Sequence, residues 1–151
     1  MLLSERFKGY DLSSFYENLR AQGKAVGVSF GNPTVLSNSR LALMASEYAR
    51  DQGQYDSFHA NMFHAFFTEG LDIGKLDVIA AVAKNSGLDE KATLSAVSDS
   101  RYLSRLNDSR KEGNLLGLTG IPLFIINNKY QITGAQPMET FRSIINKTMR
   151  K

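Results

Sequence analysis

Leu118-Thr119-Gly120-Ile121-Pro122-Leu123-Phe124-Ile125-Ile126-Asn127, followed by Tyr130-Gln131-Ile132-Thr133-Gly134-Ala135-Gln136-Pro137, reads as a β-hairpin with a proline at its mouth. Leu123 to Ile126 are strand formers, Asn127-Asn128-Lys129 is turn chemistry, and Tyr130-Gln131-Ile132-Thr133 alternates between two faces. Gly134 to Pro137 ends the hairpin. Pro137 then suits the first turn of a last helix, in which Met138, Phe141, Ile144, Ile145 and Met149 recur at helical spacing.

Upstream of Gly120 the texture is helical. Ser14-Phe15-Tyr16-Glu17 has the form of a capping box, which predicts a helix near residues 12–22 with Gly23 as the left-handed residue that ends it. Gly27-Val28-Ser29-Phe30-Gly31-Asn32-Pro33 breaks helical periodicity and predicts a loop or short extended passage. From Ser37 on, Leu41, Met44, Ala45 and Tyr48 share one face before Gly53. A third helix carries Tyr55, Phe58, Met62, Phe63, Phe66 and Phe67, an apolar arc wide enough to meet neighbours on more than one side. Leu76, Ile79, Ala80 and Ala83 form a fourth before Gly87, and Asp89 caps a short helix with Leu94 and Val97. A long amphipathic segment with Leu103, Leu106, Arg110 and Leu115 runs to Gly117.

Composition bounds the function classes. The chain has 151 residues, 42% hydrophobic and 22% charged, with no apolar run long enough to span a membrane, so a soluble globular protein is expected. No basic region followed by an apolar block opens the chain, which predicts a cytoplasmic location. A net charge of +3, with Lys and Arg scattered among carboxylates, gives no reason to expect a nucleic-acid partner. The cysteine count is zero, which excludes disulfides, a thiolate nucleophile and Cys-ligated zinc within the chain.

Thr119-Gly120-Ile121-Pro122 leading into an apolar strand, then Asn127-Asn128-Lys129-Tyr130, then Gly134-Ala135-Gln136-Pro137 and a final amphipathic helix, resembles the C-terminal half of thioredoxin-fold proteins of the DsbA family. The aromatic helix ending in Phe66-Phe67-Thr68-Glu69-Gly70, followed by Leu71-Asp72-Ile73-Gly74, is similar to the helical insertion of the FrnE-like branch. The resemblance covers roughly residues 30–150. It implies an α/β, mostly helical, truncated thioredoxin-like fold forming one partial domain over 1–151. The helical insertion would occupy about residues 30–117 and a C-terminal β-β-α half residues 118–151. It implies further that Pro122 is cis and that Thr119, Gly120, Ile121 and Pro122 bind substrate, the backbone of Ile121 pairing with an extended peptide or protein segment. Without an amide hydrogen Pro122 cannot bond back into the sheet, which leaves the Ile121 backbone groups free for such a strand.

The departure from the family is chemical. Relatives open with a strand, a Cys-x-x-Cys turn, a helix and a second strand, whereas this sequence opens where that unit should be over. Thiol–disulfide exchange needs a thiolate, so the chain is expected to be a truncated or fragmentary relative, inactive in dithiol exchange, or one completed by a second polypeptide. No catalytic residue, metal or cofactor is assigned. A missing first strand would leave residues 123–126 as a bare sheet edge, and a homodimer through that edge is expected to cover it.

Two other readings stand beside this one: a non-catalytic peptide- or protein-binding module, and a relative of the kappa-type glutathione transferases and chromene-carboxylate isomerases, in which the same loop would hold glutathione. His59 and His64 lie five apart, off the three or four that would align them as ligands, and neither has an evident carboxylate partner. They read as surface or satisfied interior residues. The cluster from Phe58 to Phe67 reads as core before it reads as a groove. Asp72, Asp77, Asp89, Glu90, Asp99 and Asp108 read as helix-start and surface carboxylates.

Overall fold

A computed structural model describes residues 1–149. The chain is mostly helical with one small antiparallel sheet, in the order α1 (Leu3–Arg6), α2 (Leu12–Lys24), α3 (Arg40–Asp51), α4 (Tyr55–Phe63), a π-helical turn (His64–Thr68), α5 (Leu76–Asn85), α6 (Glu90–Ala96), α7 (Ser100–Leu115), β1 (Leu123–Ile126), β2 (Tyr130–Thr133) and α8 (Met138–Met149). It divides into two compact units, Met1–Leu106 and Asn107–Lys151, with α7 beginning in the first and ending in the second.

The first unit is built on a seam of small residues. Ala42, Ala45 and Ala49 recur on one face of α3, and their small side chains let Phe58 of α4 lie fully buried against them. Met62, Ala65, Ile79, Val82, Ala83, Leu88 and Val97 complete this core. The polar groups it buries are paired: Ser46 Oγ donates to Ala42 O at 2.9 Å, Ser86 Oγ to Val82 O at 2.7 Å and Thr93 Oγ1 to Asp89 O at 2.8 Å. A second cluster joins α7 to α3 through buried Met44, Ala96 and Tyr102. Here Asp51 accepts from the Tyr102 hydroxyl at 3.1 Å and from Arg105 Nη1 at 2.7 Å.

These ties predict an acid sensitivity. Arg105 foremost, with Tyr102 adding to it, holds the Asp51 carboxyl below its ordinary value of 3.8. Arg101 does the same for Asp99, and Ser14 for Asp11. Near and below that value the unfolded chain binds more protons than the folded one, so stability is full above it and is lost as pH falls through it. Melting temperature should hold level from about pH 7 to about pH 5 and then decline, and Asp51→Asn should flatten the decline. The change is expected to be modest because water screens these carboxylates.

Several local expectations are corrected. The N-cap of α2 is Asp11, whose Oδ1 accepts from Ser14 N at 3.0 Å, so Ser14 is a capped residue and its box with Glu17 does not form. Gly23 lies inside α2, not beyond it. A Cβ there would stand 2.5 Å from Val28 O and 2.8 Å from the Phe30 ring, so glycine serves the close return of the 28–30 segment, and Gly27 with φ 74° is the left-handed residue. Leu76, Leu103 and Leu115, expected on packed faces, are exposed; in α7 Tyr102 and Leu106 take the inward positions. The one-turn helix α1 and the isolated antiparallel bridge Leu2–Val35 carry no periodicity from which they could be read. The aromatic helix ends in a π-helical turn, in which Glu69 N donates to His64 O at 3.0 Å.

The second unit is sparse. Ile132 is its one buried apolar side chain among the described residues, and α8 buries none. Pro137 stands just before α8, and its carbonyl accepts from Thr140 N at 2.9 Å. Phe141 of α8 meets Phe124 of β1 edge to face, with centroids 4.9 Å apart. At the end of α7, Leu118 N donates to Gly113 O and Gly117 N to Asn114 O, with Gly117 at φ 71°. This pair of bonds turns the chain from the helix toward the hairpin.

Candidate functional site

The turn of the hairpin sets the register. Asn127 and Asn128 have φ of 50° and 53°, and Lys129 N donates to Ile126 O at 3.1 Å, so two left-handed residues close a tight turn on Ile126 and leave Lys129 as an extra residue between that turn and the ladder. Asparagine tolerates that conformation because its short polar side chain bonds locally. β1 and β2 then pair with Leu123 opposite Thr133, Phe124 opposite Ile132, Ile125 opposite Gln131 and Ile126 opposite Tyr130.

At the mouth, Gly134 N donates to Pro122 O at 2.7 Å, which makes Pro122 and Gly134 a hydrogen-bonded pair. Backbone groups of an antiparallel ladder alternate in direction, so Phe124 and Ile126 also turn theirs toward β2. Leu123 and Ile125 turn theirs away. Among the described residues the amide and carbonyl of Ile121 make no hydrogen bond. The Ile121–Pro122 peptide bond is cis, and the Ile121 side chain is 82% exposed.

The four residues expected to bind substrate are therefore contiguous at one end of the sheet. Thr119, Ile121 and Pro122 are exposed and Gly120 is half-buried. A Cβ on Gly120 would meet Thr133 Cγ2 at 3.3 Å, so a larger residue there would push the loop off β2. Gly134 and Gln136 are supporting residues that the sequence offered only as turn chemistry: Gly134 clamps Pro122 from across the ladder, and Gln136 Nε2 donates to Thr133 O at 3.0 Å.

The first unit carries a separate concavity of about 680 Å³, lined by Leu19, Val28, Phe30, Phe63, His64, Phe67 and Thr68 among others. The aromatic stretch is thus divided: Phe58, Met62 and Ala65 are core, while Phe63 is exposed and Phe67 half-buried along this groove. Its far wall comes from the 27–33 passage, fastened by Thr68 Oγ1 donating to Ser29 O at 2.8 Å and Gly31 N to Phe67 O at 2.8 Å. Such long-range bonds leave no mark in local sequence.

The two histidines sit in different surroundings, and His64 alone departs from expectation. His59 is half-buried and stacks between Tyr55 and Phe63, with centroids at 5.3 and 4.5 Å. His64 does have a carboxylate beside it, Glu69, at 3.5 Å, because the π-helical turn brings residues five apart together. Among the described residues no group of three or more His, Asp or Glu could hold a metal ion, and no helix is long and apolar enough to cross a membrane.

Residues 11–146 match the DSBA-like thioredoxin domain family. The chain belongs to that family. The DSBA-like match spans both units, including the whole proline hairpin. Among curated proteins, the uncharacterized protein YwbO of Bacillus subtilis (strain 168) is 26% identical over 132 residues, covering 87% of this chain and 66% of the relative. A probable DsbA oxidoreductase from Streptomyces coelicolor superposes with a TM-score of 0.79 at 21% identity, over 89% of this chain and 58% of that one. A Nitrosomonas europaea structure, provisionally assigned as a protein disulfide isomerase, gives 0.69 at 14% identity, over 99% and 76%. This DSBA-like chain thus spans about three-fifths to two-thirds of the length of the first two relatives. The structural likenesses establish a DsbA-like thioredoxin fold.

Proposed function

We propose that this chain docks the substrate segment in DsbA-type thiol–disulfide exchange, in the FrnE-like branch and in the cytoplasm, while any sulfur nucleophile comes from outside its 151 residues. The observation that carries the reading is the backbone of Ile121: exposed, without a hydrogen-bond partner among the described residues, and held at the sheet mouth by the Gly134 to Pro122 bond. An extended peptide laid there gains main-chain hydrogen bonds without displacing any existing bond. Family membership supplies the chemistry in which such docking is used, since a substrate disulfide must be held still for a thiolate to attack it in line. Zero cysteine means that this chain contributes the holding and not the attack.

Two measurements test this. The pure protein should reduce insulin no faster than the dithiothreitol background; a rate above background would overturn the second clause. A fluorescent extended peptide containing a disulfide or cysteine should bind, and Ile121→Pro, which deletes the outward amide, should weaken binding about fivefold, the worth of one hydrogen bond near 1 kcal/mol. Lys147→Ala on α8 should leave affinity unchanged. Equal loss in both variants, or glutathione binding at this loop in place of peptide, would sink the docking assignment.

A further inference from the structure

The groove of the first unit is apolar inside and basic along one side. Leu19, Val28, Phe30, Phe63 and Phe67 line it with carbon, and Phe63 and Val28 are 51% and 48% exposed. The same 27–30 passage borders a second depression of about 350 Å³, whose other lining residues are Arg20 and Lys24. Helical spacing sets this pairing: Leu19 and Gly23 form one row on α2, and Arg20 and Lys24 form the row beside it. Among the described residues neither cation lies within ion-pair distance of a carboxylate, and Arg20 Nη1 donates to the neutral Asn32 Oδ1. On the π-helical side, Glu69 stands beside His64 at 3.5 Å.

We propose that this groove binds an unbranched aliphatic carboxylate of the fatty-acid class, its chain against Phe30, Phe63 and Phe67 and its carboxylate toward Arg20 and Lys24. A concavity of about 680 Å³ has the size of a small-molecule site, and its carbon lining suits an apolar body. Two cations without acidic partners beside it select an anionic end. The two depressions meet around a bend of the backbone, so a ligand that uses both must be narrow and flexible, as an unbranched chain is. An added peptide strand is disfavoured. Val28 N, Ser29 O and Gly31 N are already bonded to Gly23, Thr68 and Phe67, which leaves the passage few main-chain groups for a strand to use. Every wall lies between Leu19 and Thr68, remote in sequence from the Ile121 loop, so the two binding roles stand or fall separately.

Decanoate titrated calorimetrically into the 151-residue protein should bind with saturation. Decanol should bind about tenfold more weakly and decyltrimethylammonium more weakly still, and added salt should narrow the gap. Arg20→Gln combined with Lys24→Gln should lower decanoate affinity about tenfold, to that of decanol, without changing decanol binding. Arg20→Lys keeps the charge and should stay within about twofold of the unaltered protein. Phe63→Ser should weaken all three ligands about fivefold, whereas Leu43→Ser, at a leucine of α3 that is 49% exposed, should change none. Both positions are half open to water, so both variants should keep the fold, which circular dichroism checks. Equal affinity for the three head groups would overturn the proposal, as would a doubly neutralised variant that binds decanoate normally. So would a Leu43→Ser loss as large as that of Phe63→Ser, binding only to phosphatidylglycerol vesicles, or preference for an acidic apolar peptide over decanoate.

Discussion

Phe58→Ala should cost the first unit roughly 3–5 kcal/mol, the usual range for emptying a fully buried aromatic site. Phe58 is 0% exposed in the core cluster drawn largely from α3, α4 and α5, which also holds Ala42, Ala45, Ala49, Met62, Ile79, Ala83 and Leu88. The alanines of α3 are too short to reach into the space, and Met62 and Leu88 of the same cluster would refill only part of it. For a cooperative unit of about a hundred residues the loss lowers Tm by at least about 12 °C. Phe58→Leu keeps most of the volume and should cost under about 1.5 kcal/mol. Thermal unfolding followed by circular dichroism reads both. A near-neutral Phe58→Ala would mean that the helical core is not organised around this ring.

Gly31→Ala should be the most damaging of the glycine substitutions, at about 3 kcal/mol or more, at the upper end of overpacking costs. A Cβ at position 31 would overlap the carbonyl oxygen of Thr68, and backbone on both sides must then move. The displaced contact is the one that fastens the 27–33 passage to the π-helical turn, where Gly31 N donates to Phe67 O and Phe30 meets Phe67 edge to face at 6.0 Å. The groove lined by Val28, Phe30, Phe63 and Phe67 should open with it. Gly53→Ala has free space around the added methyl and only its φ of 70° against it, so it should cost about 1 kcal/mol, near the usual left-handed penalty. If the two variants melt together, close packing at Gly31 is not what holds the passage in place.

The proline hairpin was legible because its signals are local. Strand propensity in Leu123 to Ile126, two asparagines able to adopt positive φ, and a proline that cannot donate all act within a few bonds of themselves. The same locality made the Asp89 cap readable, with its Oδ1 accepting from Ala92 N at 2.7 Å. It also explains the misplaced cap at Ser14: Asp11 and Ser14 are both good capping residues three apart, and propensity cannot rank them when the winner is chosen by where the preceding chain enters.

Other features came from contacts distant in sequence. Gly23 and Gly31 look like turn residues in a linear reading, yet each is there because another piece of backbone passes too close for a side chain. Tyr102 and Asp51 meet across 51 residues, and Gly134 reaches the carbonyl of Pro122 across the ladder. Residues Phe58 to Phe67 formed one apolar run in the sequence, but packing against the alanine face of α3 buried Phe58 and Met62 and left Phe63 facing outward.

From sequence alone came the helical body, the proline hairpin, its family resemblance and the lack of any thiol, because hydrophobic period, turn chemistry and composition are properties of neighbouring residues. Tertiary structure alone decided which aromatics are core, which glycines are steric, and which backbone groups of β1 face outward. Burial and hydrogen-bond direction depend on what lies across space, and the chain's linear order does not record that.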